Sequence, residues 1–328
     1  MTAADTRLAT TADTPVGPAD VLAAAERIAP HVRHTPLLRP ESLSGLPGLP
    51  GLLVKAEHLQ HSGSFKLRGA ANAMLALGAD EVVAGSSGNH GIAVATLGRA
   101  LGVRVTVVMA AGAAEAKELA IRALGGAVLR VPGGVAERDR HAKELAARTG
   151  AALVPSSDHE LVIAGQGTVG LEVFADAPDL DAIFVPVGGG GLLAGVCLAA
   201  ARLARPVRVI GVEPEQARRY ARSVAAGRPV ELPPSDTVAD GLRGQRPGEL
   251  IFPVVRDRVD ELIGVDDAAV LRAMDLLHRA GIAAEPSGAA ALAGALRSGA
   301  LRPGGRGRTA VVVSGGNSAA ALAAAAKR

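Results

Sequence analysis

Tryptophan is absent from these 328 residues, tyrosine occurs once and phenylalanine four times, so aromatic side chains make up only 2% of the chain. The stacking platforms that grip single-stranded nucleic acid are therefore missing. Cysteine occurs once, as Cys197, which excludes an intramolecular disulfide and any Cys/His zinc cluster and points to a reducing, cytoplasmic setting. No membrane span is expected, the uncharged stretch from the glycine turn onward, Gly188 to Ala201, being shorter than the roughly 20 residues one needs. The start, Met1-Thr2-Ala3-Ala4-Asp5, lacks the basic and apolar regions of a secretory signal. Charged residues are 20% of the chain and the formal net charge is +3, with no basic block. Nucleic acid and membrane drop out as partners, and a small-molecule substrate is expected. Lysine is also scarce: Lys55, Lys66, Lys117, Lys143 and Lys327 stand against thirty arginines, so a lysine-dependent reaction has five candidates.

What the chain does hold is 48% apolar residues, ample for one large core or two smaller ones. Short β-branched runs alternate with Ala/Leu-rich stretches of helical period, the pattern of an α/β protein with a parallel sheet covered by helices. Strands are predicted at Leu52 to Lys55, Glu81 to Ala84, Arg104 to Met109, Ala127 to Val131, Ala182 to Val187, Val207 to Val212, Glu261 to Val265 and Thr309 to Val313. Helices are predicted at Asn89 to Leu101, Ala136 to Arg148 and Asp267 to Ala280, among others. The Gly/Arg/Pro-rich stretch Arg297 to Arg308 reads as a surface loop, and about the first 18 residues as a frayed lead-in.

Several segments carry groups suited to chemistry. In Gly63-Ser64-Phe65-Lys66-Leu67-Arg68-Gly69, Ser64 reads as an N-cap, which puts Lys66 in the first turn of a helix. There the helix dipole disfavours an ammonium and pushes the amine toward its nucleophilic neutral form, although a surface lysine fits the same letters. Gly188-Gly189-Gly190-Gly191-Leu192 follows an apolar strand and precedes an apolar helix, a turn in which main-chain N–H groups can converge on a phosphate. No Lys-Ser/Thr follows, so it is not a nucleoside-triphosphate loop. Gly165-Gln166-Gly167-Thr168-Val169-Gly170 matches the dinucleotide fingerprint by letter, but the segment before it reads as helix and no acid stands about 20 residues on. Ser86-Ser87-Gly88-Asn89-His90-Gly91 and Ser314-Gly315-Gly316-Asn317 are polar turns directly after strands, where an open sheet binds ligands. The pairs His31/His34 and His58/His61 lack partner carboxylates and read as non-ligands, while Asp240 and Glu285 could each supply an acid to a site, although an ordinary surface role fits them better on sequence alone.

Taken together, Ser64-Phe65-Lys66, Ser-Ser-Gly-Asn-His-Gly, Gly165-Gln166-Gly167-Thr168, the tetraglycine turn and Ser314-Gly315-Gly316-Asn317 resemble the fold type II pyridoxal-phosphate enzymes of the threonine/serine dehydratase and serine racemase family. The resemblance runs from about His34 to Asn317. It implies the tryptophan synthase β-like fold: two open, twisted, mostly parallel sheets with helices on both faces. It further implies a large cofactor domain from 1–79 with 151–328, a small substrate-side domain at 80–150, and a homodimer. Pyridoxal 5'-phosphate would be joined to Lys66 as a Schiff base, with Phe65 beside it, Gly188, Gly189, Gly190, Gly191 and Leu192 around its phosphate, Asn89 at the phenolic oxygen and Ser314 at the ring nitrogen. Ser86, Ser87, Asn89, His90 and Arg138 would receive the amino acid, with Lys66 and Ser87 as the acid/base groups. The implied reaction is β-elimination, turning L-threonine or L-serine into 2-oxobutanoate or pyruvate plus ammonium. A serine racemase, a bifunctional enzyme and a 3-hydroxyaspartate dehydratase remain open, Ser87 being a racemase-like feature. Racemases of this branch bind a divalent cation beside a Glu-Pro pair, with an aspartate six residues after the Glu. Here Glu213-Pro214 is followed by Arg219, so no metal is expected. No regulatory domain follows Asn317, so feedback inhibition is not expected either.

Overall fold

The computed structural model describes residues 15–39, 49, 51–301, 307–318 and 321–322. Two sheets organise them. The larger has six strands: β1 (Leu37–Leu38), β2 (Leu52–Ala56), β7 (Ala182–Pro186), β8 (Arg208–Pro214), β9 (Glu261–Val265) and β10 (Thr309–Val313), in the order β1-β2-β10-β7-β8-β9. Every pairing in it is parallel except β1 with β2. The smaller sheet is wholly parallel and contains β3 (Glu81–Gly85), β4 (Arg104–Ala110), β5 (Ala127–Val131) and β6 (Ala152–Leu153), in the order β5-β4-β3-β6. The α/β fold of two mostly parallel sheets is thus as expected. A boundary at 150 is not, because β6 pairs with β3 and carries the smaller sheet to at least Leu153.

The central strands are apolar at nearly every position because both faces are covered. In β7 and β10, Ile183, Val185, Ala310 and Val312 pack toward α1 (Pro18–Ile28), α6 (Glu160–Asp176), α7 (Gly191–Ala200) and α9 (Ile251–Arg258). Their neighbours Phe184, Val311 and Val313 face α10 (Asp267–Arg279) and α11 (Pro286–Ser298) instead. The smaller sheet does the same, with Val82, Ala84 and Val107 against α2 (Lys66–Leu77), α3 (Asn89–Leu101) and α4 (Glu115–Ala123), and Val83 and Val108 against α5 (Val135–Thr149). Cys197 lies within the first of these cores, and burial pushes its thiol up to about 12, which makes it a packing residue. Among the described residues no helix is long and apolar enough to cross a membrane.

The eight predicted strands lie where expected to within two residues at either end. β1 and β6 are additional to them, since two residues are too few to show a period. The stretch expected as a loop from Arg297 begins later: α11 runs through Ser298, and residues 302–306 lie outside the described set. Pro18 opens α1 within the expected lead-in, while residues 1–14 are not described.

Candidate active site

Lys66 is the first residue of α2, but not through the cap expected of Ser64. The Ser64 Oγ is buried with no hydrogen-bond partner among the described residues, and Phe65 occupies the cap position with helical backbone. The helix start is set by tertiary pairing: Ser64 forms an antiparallel bridge with Gly315, and the Phe65 N–H donates to the Ser314 carbonyl at 3.0 Å. This joins Lys66, Phe65 and Ser314 at the C-terminal ends of β2 and β10. The next turn is anchored by Arg68, whose wholly buried guanidinium bonds Glu57 at 2.7 and 2.9 Å and Glu172 at 2.6 and 2.8 Å. Lys55 also reaches Glu172, at 2.5 Å, so this second lysine belongs to a structural ion network. The Lys66 amine donates to the Ser156 carbonyl at 2.5 Å and lies 5.2 Å from the centroid of the Phe65 ring. Its pKa falls to about 8, chiefly through burial and secondly through the Arg138 guanidinium. The expected depression is present, with desolvation as its leading cause.

The turn after β3 faces this amine. Ser86 Oγ accepts the N–H groups of Gly88 at 3.1 Å and Gly91 at 2.9 Å, which shapes the turn into α3. Ser87 Oγ accepts the Ala110 N–H at 3.2 Å and keeps its own proton to give. His90 is buried, donates Nε2–H to the Val154 carbonyl at 2.9 Å, and leaves Nδ1 without a partner among the described residues. Burial first, and then the Lys66 charge, holds its pKa down to about 3, so the ring is neutral. An anion here would meet its main-chain N–H, since among the described residues no acceptor takes the N–H of Asn89 or His90 at the helix start. Asn89 is clamped at both ends of its amide: Nδ2 donates to Glu285 at 2.5 Å, and Oδ1 accepts from Asn317 Nδ2 at 3.0 Å. Arg138, in α5, pairs with Asp139 at 2.7 Å, and its charge acts on both Lys66 and His90.

Beyond β7, the tetraglycine turn leads into α7. A Cβ added at Gly188 would stand 2.5 Å from the Gly241 carbonyl oxygen, and one at Gly189 or Gly190 would collide with the hydroxyl of Ser157 or Tyr220. Gly190 also has φ +92°, a conformation that only glycine adopts without strain. Among the described residues no acceptor engages the N–H groups of Gly188, Gly189 or Gly190.

Residues 28–315 match the family model described as "Pyridoxal-phosphate dependent enzyme". The chain belongs to the fold type II pyridoxal-phosphate enzymes. Its relatives include the serine racemase of Oryza sativa subsp. indica, 41% identical over 278 residues that cover 83% of this chain and 81% of that one. The L-threo-3-hydroxyaspartate ammonia-lyase of Saccharomyces cerevisiae is 38% identical over 282 residues, covering 84% and 86%. Among solved structures, the threonine deaminase of T.th. superposes with TM-score 0.81 at 44% identity, covering 92% of this chain and 98% of that one. This is an enzyme family of ammonia-lyases and racemases, and its cofactor is pyridoxal 5'-phosphate.

The residues present fit that cofactor: a partly buried amine of lowered pKa, and a glycine turn packed too closely from behind to admit any Cβ, whose N–H groups meet no acceptor among the described residues. Of the two acids for which the sequence left a site role open beside a surface one, Glu285 is drawn into this cleft, while Asp240 stays exposed and reaches it through an ion pair. Glu285 is buried against Asn89, and burial pushes its carboxyl up to about 7. Asp240 pairs with Lys117, a buried lysine of α4, at 2.5 Å. Ser156, whose carbonyl holds Lys66, carries no sequence signal, because a main-chain acceptor is independent of the side chain. At Glu213, the Arg219 guanidinium lies 4.0 Å from the carboxylate, and both are fully buried. A cation is thus already in place beside that acid. Among the described residues no cluster of three His, Cys, Asp or Glu could hold a metal ion.

Proposed function

We propose that the chain is a threonine/serine ammonia-lyase, converting L-threonine or L-serine to 2-oxobutanoate or pyruvate plus ammonium. The observation that carries this reading is the Lys66 amine, partly buried, lowered to about 8 and opposed by polar N–H groups that would hold a carboxylate. Pyridoxal phosphate, when bound, supplies the electron sink for the pair left as the Cα–H bond breaks. The amine of Lys66 holds the cofactor, then takes the Cα proton, which it can do near neutrality because its pKa is low. The main-chain N–H groups of Asn89 and His90 receive the substrate carboxylate at the positive end of α3, with Ser86 shaping the turn and Arg138 adding charge. Gly188 to Leu192 bind the phosphate. Phe65 packs beside the amine, and Asn89, held by Glu285 and Asn317, would hold the cofactor at its phenolic oxygen. Ser314 would meet the ring nitrogen with a neutral hydroxyl, which would not enforce protonation there as a carboxylate would, a setting that would suit elimination. The larger sheet and the smaller one act as cofactor-side and substrate-side units around this cleft.

A second reading, racemisation alongside elimination, is favoured by Ser87, whose hydroxyl retains a proton to deliver. Borohydride reduction followed by peptide mapping should fix the cofactor to Lys66, and Lys66→Ala should lower turnover roughly a thousandfold or more. Label on any other lysine ends the assignment. A panel of L- and D-threonine, serine and 3-hydroxyaspartate, read for both oxo acid and inverted amino acid, separates the lyase from the racemase and from a hydroxyaspartate enzyme. Oxo acid from 3-hydroxyaspartate alone would overturn the substrate proposed.

A further inference from the structure

Four glycines in a row can bind phosphate only if their N–H groups point the same way, and glycine peptides turn over with little steric resistance. The loop therefore needs something to set its direction. Behind it stands the start of α8 (Arg219–Ala226). Tyr220, the one tyrosine of the chain, is fully buried, and its hydroxyl donates to the Gly189 carbonyl at 2.7 Å. Arg219, equally buried, donates through Nη2 to the Val187 carbonyl at 3.2 Å. Through Nη1 it donates to the carbonyls of Ala217 at 3.0 Å and Leu242 at 3.3 Å. Glu213 holds this corner still, accepting the N–H groups of Tyr220 at 2.9 Å and Ala221 at 3.0 Å.

In a trans peptide the C=O and the N–H point in opposite directions. A donor fixed on the Val187 carbonyl therefore turns the Gly188 N–H away from α8. A donor on the Gly189 carbonyl does the same for the Gly190 N–H. These are N–H groups that no acceptor among the described residues engages. We infer that Arg219 and Tyr220 are positioning residues, whose side chains grip alternate carbonyls of the turn and so aim its N–H groups at the cofactor phosphate. The inference rests on the proposed assignment of Gly188 to Leu192 as the phosphate cup. Neither side chain needs to touch the phosphate, because each acts through the peptide plane it holds.

Tyr220→Phe keeps the ring and removes the hydroxyl, which donates to the Gly189 carbonyl at 2.7 Å and accepts the Gly248 N–H at a longer 3.4 Å. The test compares dissociation constants of pyridoxal phosphate and of pyridoxal, the same aldehyde without phosphate, for wild type and variant. Cofactor absorbance after equilibrium dialysis gives the constants, and thermal melting is recorded alongside. Tyr220→Phe is expected to weaken pyridoxal phosphate binding about five- to tenfold, the loss typical of one hydrogen bond, and to leave pyridoxal binding unchanged within about twofold. Arg219→Lys, which keeps the charge but loses the planar fork, should change the same ratio in the same direction and serves equally if Tyr220→Phe fails to fold. Equal weakening of both ligands, or of neither, overturns the inference and leaves the pair as core filling. Should the wild type itself bind the two ligands equally, the phosphate cup is what fails. That outcome is distinct from a cup that holds while Tyr220 proves indifferent.

Discussion

His90 and Ser87 sit three residues apart on one turn, yet their chemistry differs because of what each oxygen or nitrogen already contacts. The folded chain holds His90 neutral down to about 3, against 6.5 unfolded. Between those values the unfolded state binds the extra proton, so stability rises with pH across that window and is lost as pH falls below about 6.5. This one group should cost about 2 kcal/mol between about pH 7 and about pH 5. His90→Gln removes the titration. Urea unfolding of both proteins at the two pH values should show the difference between them shift by that amount, and a constant difference would mean that the imidazole protonates in the fold. Ser87→Ala tests the acid/base role. Elimination from an L-amino acid needs nothing on the face opposite Lys66 and should survive nearly intact. Exchange of L for D and elimination from D-serine should fall by about a hundredfold or more, the usual weight of a general acid or base. Cα proton exchange in deuterated water, followed for each enantiomer, checks this. D-serine turnover that persists in the variant excludes Ser87 as the second base.

Helix α6 explains the six letters that imitate a dinucleotide fingerprint. Its glycines are there so that helices can touch. A Cβ on Gly165 would stand 2.6 Å from the Arg68 carbonyl oxygen of α2, and one on Gly167 would stand 2.7 Å from the Gly195 carbonyl oxygen of α7. Each added methyl would meet rigid backbone, so the helices must part. Gly167→Ala should cost about 3 kcal/mol, whereas Gly170→Ala, whose nearest neighbour is the Ala199 Cβ at 3.0 Å, should cost less. Denaturant unfolding ranks the two, and the reverse order would remove close helix packing as the reason for these glycines. Because α2 carries Lys66, this contact also fixes the height of the reactive amine over the cleft.

At the scale of the molecule, the Lys117 to Asp240 pair joins the smaller unit to the larger. Lys117 comes from α4 and lies beside Gly88, while Asp240 begins the 3-10 turn Asp240–Leu242, whose Gly241 carbonyl backs the tetraglycine turn. An ion pair across the cleft favours the arrangement in which substrate groups and cofactor groups face each other. Asp240→Asn should raise KM for the amino acid about three- to fivefold with a smaller change in kcat, and should leave the absorbance of bound cofactor as it was. Steady-state kinetics decides, and an unchanged KM would reduce the pair to a surface contact.

The sequence by itself determined the α/β class, because β-branched runs such as Ala182 to Val187 and Thr309 to Val313 can be buried on both faces only between layers of helix. It also marked the turns that hold Asn89, the glycines and Ser314, each a polar or glycine run directly after an apolar strand, and it was their order along the chain, with Lys66, that carried the resemblance. Tertiary structure alone decided what those motifs meet. The start of α2 is set by Gly315 rather than by the Ser64 side chain, the Asn89 amide is held by Glu285 across 196 residues of chain, and Asp240 reaches Lys117 across 123. Such pairings leave no local pattern, because the free energy that makes Glu285 a buried acid of raised pKa instead of a surface carboxylate comes from desolvation by segments distant in sequence.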